Sequence, residues 1–160
     1  MGLHHEKPRG ESVEWYTPKR LFDALGIDFD LDVASPLAGP VPWIPARTHL
    51  TVRDDGATAP WHGLVWCNPP YGAESRRFAS RMAQHRNGLM LLPARTETHM
   101  SQRLLETCDL VCFLRERIFF TNPAGEILRS PHGSVLYAFG AVASQALERA
   151  QLGVLMRRVS

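Results

Sequence analysis

The chain has 160 residues, and its 18 basic and 16 acidic side chains give a net charge of +2. This length suits one domain with its own hydrophobic core, and contents of 44% hydrophobic and 21% charged residues are ordinary for a globular protein. No apolar run approaches the ~20 residues of a membrane-spanning helix, and so small a net charge does not by itself indicate a nucleic-acid partner.

The N-terminal residues carry neither a secretion signal nor a lipidation site. Residues 1–6 contain no apolar signal region, and Glu6 stands where N-myristoylation requires Ser or Thr. We therefore expect a cytoplasmic protein without a membrane partner. A flexible N-terminus is expected at 1–13, followed by a single domain at 14–160.

The first predicted elements are a short helix and a strand. Thr17 as N-cap and Pro18 at the first helical position predict a helix that ends at Gly26. A strand follows at 29–34, with Asp32 near its end. The apolar face of the helix would consist of Leu21, Phe22 and Leu25.

A proline-rich segment separates this strand from the next elements. Residues 35–47 contain four prolines and predict an irregular loop. A short strand is predicted at 48–52. Asp54 and Asp55 then precede a glycine, which predicts a turn at 54–56.

From residue 63 onward, apolar strands alternate with helices. The predictions are strands at 63–67, 89–93, 110–114, 117–121 and 134–139, helices at 74–86, 97–106 and 143–150, and a turn at 122–125. This order favours an α/β fold with a mostly parallel sheet and an antiparallel edge. Ligands of such sheets bind at the carboxyl ends of strands, where Asp32, Asn68 and residues 93–95 fall. We therefore expect one site built from all three.

The tetrapeptide Asn68-Pro69-Pro70-Tyr71 is the most informative part of the sequence. Two prolines cannot continue the preceding strand, since each fixes φ and lacks an N–H. The Asn68 side-chain oxygen and the Pro69 carbonyl would then be free acceptors for a planar exocyclic amino group, while Tyr71 stacks on the ring that carries it. The alternative is a plain turn that closes the strand, with Asn68 as a local cap.

The cysteines and arginines of the sequence bear on metal binding and on contacts with nucleic acid. The three cysteines, Cys67, Cys108 and Cys112, lack C-x-x-C spacing, so we expect reduced, buried thiols and no metal site. Sixteen of the 18 basic residues are arginines, which suit phosphate and base-edge contacts. A GC-rich genome would produce the same bias, so both explanations stay open.

Several blocks, taken in order from about Glu14 to Phe139, resemble the phage-type DNA N6-adenine methyltransferases, the Dam-like family of phages and prophages. The blocks are Glu14-Trp15-Tyr16-Thr17-Pro18, residues 29–34, 51–56, 61–63 and 66–72, and residues 91–98. The block around Asn68 occurs in many amino-methyltransferases and indicates only the chemistry. The ordered set is far more specific.

The resemblance implies a Rossmann-like methyltransferase fold for the domain at 14–160, with S-adenosylmethionine (SAM) as cofactor. Thr17 would contact the amino-acid end of SAM, and Asp54 or Asp55 would accept from its adenine amino group. The implied cofactor-binding residues are Trp15, Tyr16, Thr17, Asp32, Ala34, Asp54, Asp55 and Asn68. The residues themselves leave alternatives open: Asp32 as a turn cap, the Asp54-Asp55 pair as solvated, and Trp15 as part of the core.

The resemblance also implies direct methyl transfer to adenine N6 in DNA at specific sites, without a covalent intermediate or a metal. The flipped base would be held by the catalytic residues Asn68, Pro69, Pro70 and Tyr71. Contacts with DNA are expected from Tyr71, Arg76, Arg77 and Arg95. For the arginines the alternatives are a solvated helix face and, for Arg95, a pair with Glu97.

Two departures from the wider methyltransferase pattern bear on these expectations. The first strand is followed by the proline-rich segment 35–47 instead of a Gly-x-Gly loop, which makes Thr17 more important for the cofactor. No segment is long enough for a separate target-recognition domain, so we expect sequence specificity to be either short or supplied by loops such as 121–133. Alternative functions are methyl transfer to RNA adenine, cytosine N4 or, less in keeping with the sequence, protein glutamine, and a nucleic-acid-binding module without turnover.

Overall fold

The computed structural model describes residues 14–159. The flexible N-terminus predicted at 1–13 lies outside the described residues. The helices are α1 (Lys19–Leu25), α2 (Ser75–His85), α3 (His99–Thr107) and α4 (Ala141–Ala150). The strands are β1 (Phe29–Asp32), β2 (Ala46–His49), β3 (Val65–Cys67), β4 (Gly88–Pro93), β5 (Leu110–Leu114), β6 (Phe119–Thr121), β7 (Ile127–Arg129), β8 (Ser134–Phe139) and β9 (Gly153–Met156).

Seven of these strands form one sheet in the order β2-β1-β3-β4-β8-β5-β9, while β6 and β7 form a separate hairpin. Strands β2, β1, β3 and β4 are mutually parallel, and β8 runs against both β4 and β5. Five strands therefore point one way, and the mixed α/β fold with a mostly parallel sheet is confirmed. The predicted antiparallel edge is β9, and β8 is a further reversed strand, which lies inside the sheet.

Helices cover both faces of the sheet. On one face, α1 and α4 pack over Trp66, whose ring lies 4.8 Å from that of Phe22 in an edge-to-face contact. On the other face, Phe78 and Met82 of α2 and Leu104 of α3 pack over the sheet. Strand β4 is buried on both sides, which explains its continuous apolar sequence. Each fully buried large apolar side chain contributes about 1.5–3 kcal/mol.

The first helix is shifted by one residue from its prediction. It ends at Gly26, which adopts the left-handed conformation with φ of 60°, and its predicted apolar face is buried. The prediction that Thr17 caps this helix was wrong: Pro18 occupies the N-cap position without a side-chain cap. The Thr17 side chain turns instead toward the end of β3.

The strand order changes direction at the carboxyl ends of β1 and β3, where an open α/β sheet is expected to have a crevice; this region is called the crevice here. From β1 the chain continues to β2 on one side, then crosses to β3 on the other. Ligands of open α/β sheets bind at such a switch point. Asp32 ends β1 and Asn68 follows β3, so the topology brings both to this crevice. Within the part of the chain described, no helix has the length and apolar character to cross a membrane.

Candidate active site

Asn68 directly follows β3, and its side chain is hydrogen-bonded to the segment that precedes α1. Its Nδ2 donates a hydrogen bond to Thr17 Oγ1 at 3.1 Å, and Thr17 is buried. In this orientation of the amide, Oδ1 is the atom left to accept. Among residues 14–159, no hydrogen bond to Asn68 Oδ1 is formed. This oxygen is therefore free to accept from a ligand.

Thr17 is itself fixed by neighbours on two sides. Its carbonyl accepts a hydrogen bond from Trp43 Nε1 at 2.8 Å. The preceding residue, Tyr16, exchanges two backbone hydrogen bonds with Thr121 of β6, at 2.7 and 3.2 Å. The segment that holds Asn68 is thus anchored to the β6–β7 hairpin and to the proline-rich segment.

Trp15 and Tyr16 directly precede Thr17 in the chain. Both are partly buried against the hydrophobic core, and the Tyr16 ring meets Trp43 edge-to-face at 6.4 Å. Burial raises the pKa of the Tyr16 phenol, and the neighbouring Glu14 carboxylate adds to this effect. The side chains next to Thr17 in the chain are therefore two uncharged aromatic rings.

The two prolines and Tyr71 complete the turn. Pro69 is buried and Pro70 exposed, and the Pro69 carbonyl accepts no backbone hydrogen bond from the described residues. Tyr71 is 46% exposed, and burial raises the pKa of its phenol. Phe120 of β6 contacts this ring edge-to-face at 6.4 Å, which leaves ring surface for stacking.

Asp32 lies beside this turn at the end of β1, with 2% of its surface exposed. Its Oδ1 accepts a hydrogen bond from the Ala34 N–H at 3.2 Å, the local turn contact that the sequence left open as an alternative. Its Oδ2 is buried and accepts no hydrogen bond from the described residues. His49 Nδ1 lies 3.5 Å from Oδ2, and sequence reasoning missed this histidine.

Asp54 and Asp55 form a turn beside the end of β1, but both carboxylates have local partners. Asp54 Oδ2 accepts from the N–H and hydroxyl of Thr51 at 2.8 and 2.9 Å, which lowers the pKa of Asp54. Both Asp55 oxygens accept from Arg77, and this lowers the pKa of Asp55. Their predicted role toward a cofactor stays a prediction.

The arginines predicted to bind DNA differ in their surroundings. Arg76 is exposed and makes no side-chain hydrogen bond or ion pair with the described residues. Arg77 is shared between Asp55 and Glu74, and Arg95 pairs with Glu97 at 3.2 Å, the alternative considered from sequence. An open cleft of about 550 Å³ runs along α2 and is lined by Ala57, Thr58, Arg76, Arg77, Ser80, Arg81 and Gln84.

The three cysteines are free thiols, and Cys67 directly precedes Asn68. Cys67 is fully buried, and burial together with the nearby Asp32 charge raises the pKa of its thiol. Burial also raises the pKa values of Cys108 and Cys112 to about 11 each. All three are free thiols that stay protonated near neutral pH. Among the residues described, no group of three His, Cys, Asp or Glu side chains is placed to hold a metal ion.

Two contacts join predicted site residues. Thr17 is hydrogen-bonded to Asn68, and Asp32 lies on the neighbouring strand, whereas Asp55 is paired with Arg77 on the surface. A second cleft, of about 260 Å³, lies between α1 and the end of β5 and contains Pro18 but neither Asn68 nor Asp32. The candidate site at the strand ends therefore coincides with neither of these two clefts.

Comparison with known proteins identifies the family. The model of one family, described as DNA N-6-adenine-methyltransferase (Dam), matches residues 5–147. No curated protein and no solved structure matches the chain significantly. The match covers most of the 160 residues and includes the whole crevice. The chain therefore belongs to the DNA N-6-adenine-methyltransferase (Dam) family.

Proposed function

We propose that this protein transfers the methyl group of SAM directly to N6 of an adenine flipped out of DNA, at specific sites. Family membership implies DNA adenine N6 methylation in general. The observation that carries the finer proposal is the hydrogen bond from Asn68 Nδ2 to Thr17 Oγ1, because it engages the amide nitrogen and leaves Oδ1 as the free acceptor. A plain strand-closing turn would not require a buried partner 51 positions away.

Asn68 and Pro69 would activate the target nitrogen by accepting its two N–H groups. Adenine N6 is a weak nucleophile because its lone pair is delocalised into the ring. Hydrogen bonds to Asn68 Oδ1 and the Pro69 carbonyl shift this nitrogen toward sp³ geometry and expose the lone pair. Placement and electrostatics then do most of the catalysis, so neither a nucleophilic side chain nor a metal takes part.

Tyr71 would hold the flipped base from its ring side. Extrusion of a base from the duplex costs a few kcal/mol, and stacking on an aromatic ring returns about 1–3 kcal/mol. The half-exposed ring beside Asn68 supports this role, and Phe120 limits how far the ring can turn away. Pro70 would keep the turn rigid.

The crevice suits the amino-acid end of SAM, which supplies the methyl group as a sulfonium. The buried, unsatisfied Asp32 Oδ2 fits a ligand that carries an ammonium group. Cofactor contacts are proposed for Trp15, Tyr16, Thr17, Asp32, Ala34 and Asn68. Asp54 or Asp55 would reach the adenine amino group of SAM by exchanging its present partner. The switch point at β1 and β3 supports the Rossmann-like fold in which these contacts arise.

DNA would lie across α2 and the β6–β7 hairpin. Arg76 offers an unpaired cation in the cleft of α2, while Arg77 and Arg95 would exchange carboxylate partners for phosphate. The hairpin exposes three large apolar side chains beside the Tyr71 contact, and the specificity loop expected at 121–133 begins there. These side chains are Phe119, Ile127 and Leu128.

The experiment that tests the function is methyl transfer from labelled SAM to unmethylated double-stranded DNA, followed by nucleoside analysis. We expect the label in N6-methyldeoxyadenosine. Label in N4-methyldeoxycytidine would contradict the adenine target and keep the Asn68 chemistry. SAM binding without label in DNA would favour an RNA or protein substrate, and absence of SAM binding would favour a non-catalytic module.

A further inference from the structure

A buried carboxylate at the end of β1, that of Asp32, has an oxygen without a hydrogen-bond donor among the described residues. Asp32 Oδ2 is shielded from solvent and accepts no hydrogen bond from the described residues. A buried carboxylate without compensation is costly. The side chain that can balance this charge is His49, when it is protonated, because its Nδ1 lies 3.5 Å from Asp32 Oδ2. This separation is too long for a strong hydrogen bond and short enough for an ion pair.

The sheet register places His49 there and holds it. Asp32 and His49 are paired directly across the parallel strands β1 and β2. Beyond them, the Leu50 N–H donates to the Asp32 carbonyl and the Ser35 N–H donates to the Leu50 carbonyl, both at 2.8 Å. Ser35 Oγ also lies 3.4 Å from His49 Nδ1. Neither strand end can move away without breaking these bonds.

The other charged groups near this pair are already compensated or neutral. On the same two strands, Arg47 pairs with Asp30 at 3.6 Å. From β3, Cys67 presents a thiol that burial and Asp32 keep protonated. Among described residues, Asp32 is therefore the charged group that governs His49. The contact with the Asp32 carboxylate raises the pKa of His49, and partial desolvation opposes this.

We propose that His49 is a positioning residue for the cofactor: charged, it balances Asp32 in the free protein, and it loses its Nδ1 proton to solvent when the ammonium of SAM provides that balance. The inference rests on the proposed function, in which Asp32 serves the cofactor. One buried carboxylate needs one cation, so His49⁺ and the ligand cation compete for it. SAM affinity then rises with pH through the titration of His49, by up to about tenfold per pH unit.

The test is isothermal titration of the protein with SAM between pH 5.5 and 7.5, in two buffers with different ionisation enthalpies. The wild type is expected to release up to one proton and to bind more tightly as the pH rises. His49→Gln keeps a neutral donor and should release none, with an affinity that varies little over this range. The matched control is His62→Gln at an exposed histidine, which should behave as the wild type. Titration of the ligand's own ammonium affects all three proteins equally.

The outcomes separate this inference from the function on which it rests. Tight SAM binding by the wild type with no proton release, or with the same release in His49→Gln, overturns the role of His49 alone. Absence of SAM binding by the wild type overturns the proposed function as well. An NMR titration of the free protein adds a readout without ligand: the pKa of His49 should fall in Asp32→Asn, and an unchanged value would refute the pairing.

Discussion

Asn68 and Thr17 stand 51 positions apart in the chain, and a single hydrogen bond between their side chains carries the proposed chemistry. Thr17 has no freedom to follow Asn68, since its carbonyl and the backbone of Tyr16 are both held. The pattern Thr-Pro predicts a helix cap from local sequence alone. The structure uses the same hydroxyl to orient an amide, which no local pattern could reveal.

Replacement of Thr17 tests this orientation. Thr17→Val removes the acceptor without a change of shape, and we expect the rate of methyl transfer to fall about 10- to 100-fold, as for the loss of one buried hydrogen-bond partner. Thr17→Ser keeps the hydroxyl and should retain most of the rate. The measurement is single-turnover transfer at saturating SAM and DNA. Equal rates for Val and Ser would show that Thr17 does not orient Asn68.

The pairing of His49 with Asp32 also predicts how stability depends on pH. Because the folded-state pKa of His49 is raised, its contribution to stability is complete below the unfolded value of about 6.5 and is lost as the pH rises through the folded value. Urea denaturation of the wild type and His49→Gln should therefore differ most near pH 5.5. A difference that grows toward pH 8 would contradict the raised pKa.

At the scale of elements, the turn at 54–56 illustrates how a tight contact positions a strand end. A Cβ on Gly56 would lie 1.9 Å from the Val33 carbonyl oxygen, directly beyond β1. Trp61 Nε1 donates to the Gly56 carbonyl at 2.7 Å and secures the other side of the turn. Only glycine lets this turn pack against the residue that follows Asp32.

Gly56→Ala is therefore expected to destabilise the fold by about 1–3 kcal/mol, the usual cost of overpacking. The control is Gly125→Ala, where the added Cβ meets no atom within 4 Å and only the backbone strain of its positive φ opposes the change. Urea denaturation curves of both variants measure the difference. An unchanged midpoint for Gly56→Ala would show that β1 and the turn separate easily.

The elements also show what the sequence could predict and what it could not. Strands β5 and β8 have their predicted bounds. Each is a continuous apolar run between polar turns, a pattern that clearly predicts a buried strand. Strand β7 is three exposed residues, and β9 is a half-exposed edge, so neither carries a strong pattern. His49 was missed for a related reason: β2 begins inside the segment predicted to be an irregular loop, and its pairing with β1 is set by tertiary contacts.

At the scale of the whole molecule, the sheet order brings two of the proposed active-site residues close together. The arginines proposed to bind DNA lie outside this group. The crevice residues Asp32 and Asn68 follow neighbouring strands, a proximity predicted from strand ends. The arginines lie on α2 and on the loop after β4, on the surface around the crevice. A duplex bound over α2 would therefore present a flipped base to Tyr71.

Arg76 provides the cleanest test of this arrangement. Arg76→Gln should weaken DNA binding without loss of sequence preference, and should reduce the slope of log affinity against log salt by about 0.9 for one lost phosphate contact. Arg103→Gln, at an exposed position on α3, serves as the matched control and should leave the slope unchanged. Binding isotherms at several salt concentrations give both slopes. Identical slopes for the two variants would place the DNA elsewhere.

The most direct test of the central claim compares SAM affinity with methyl transfer in the wild type and in Asn68→Ala. If Asn68 Oδ1 activates the adenine amino group, transfer should fall by at least about 100-fold while SAM still binds and the protein remains folded. Asn68→Asp, which keeps an acceptor in the same place, should recover part of the rate. Transfer by Asn68→Ala at the wild-type rate, or a loss of transfer that merely follows a loss of SAM binding or of folding, would contradict the account.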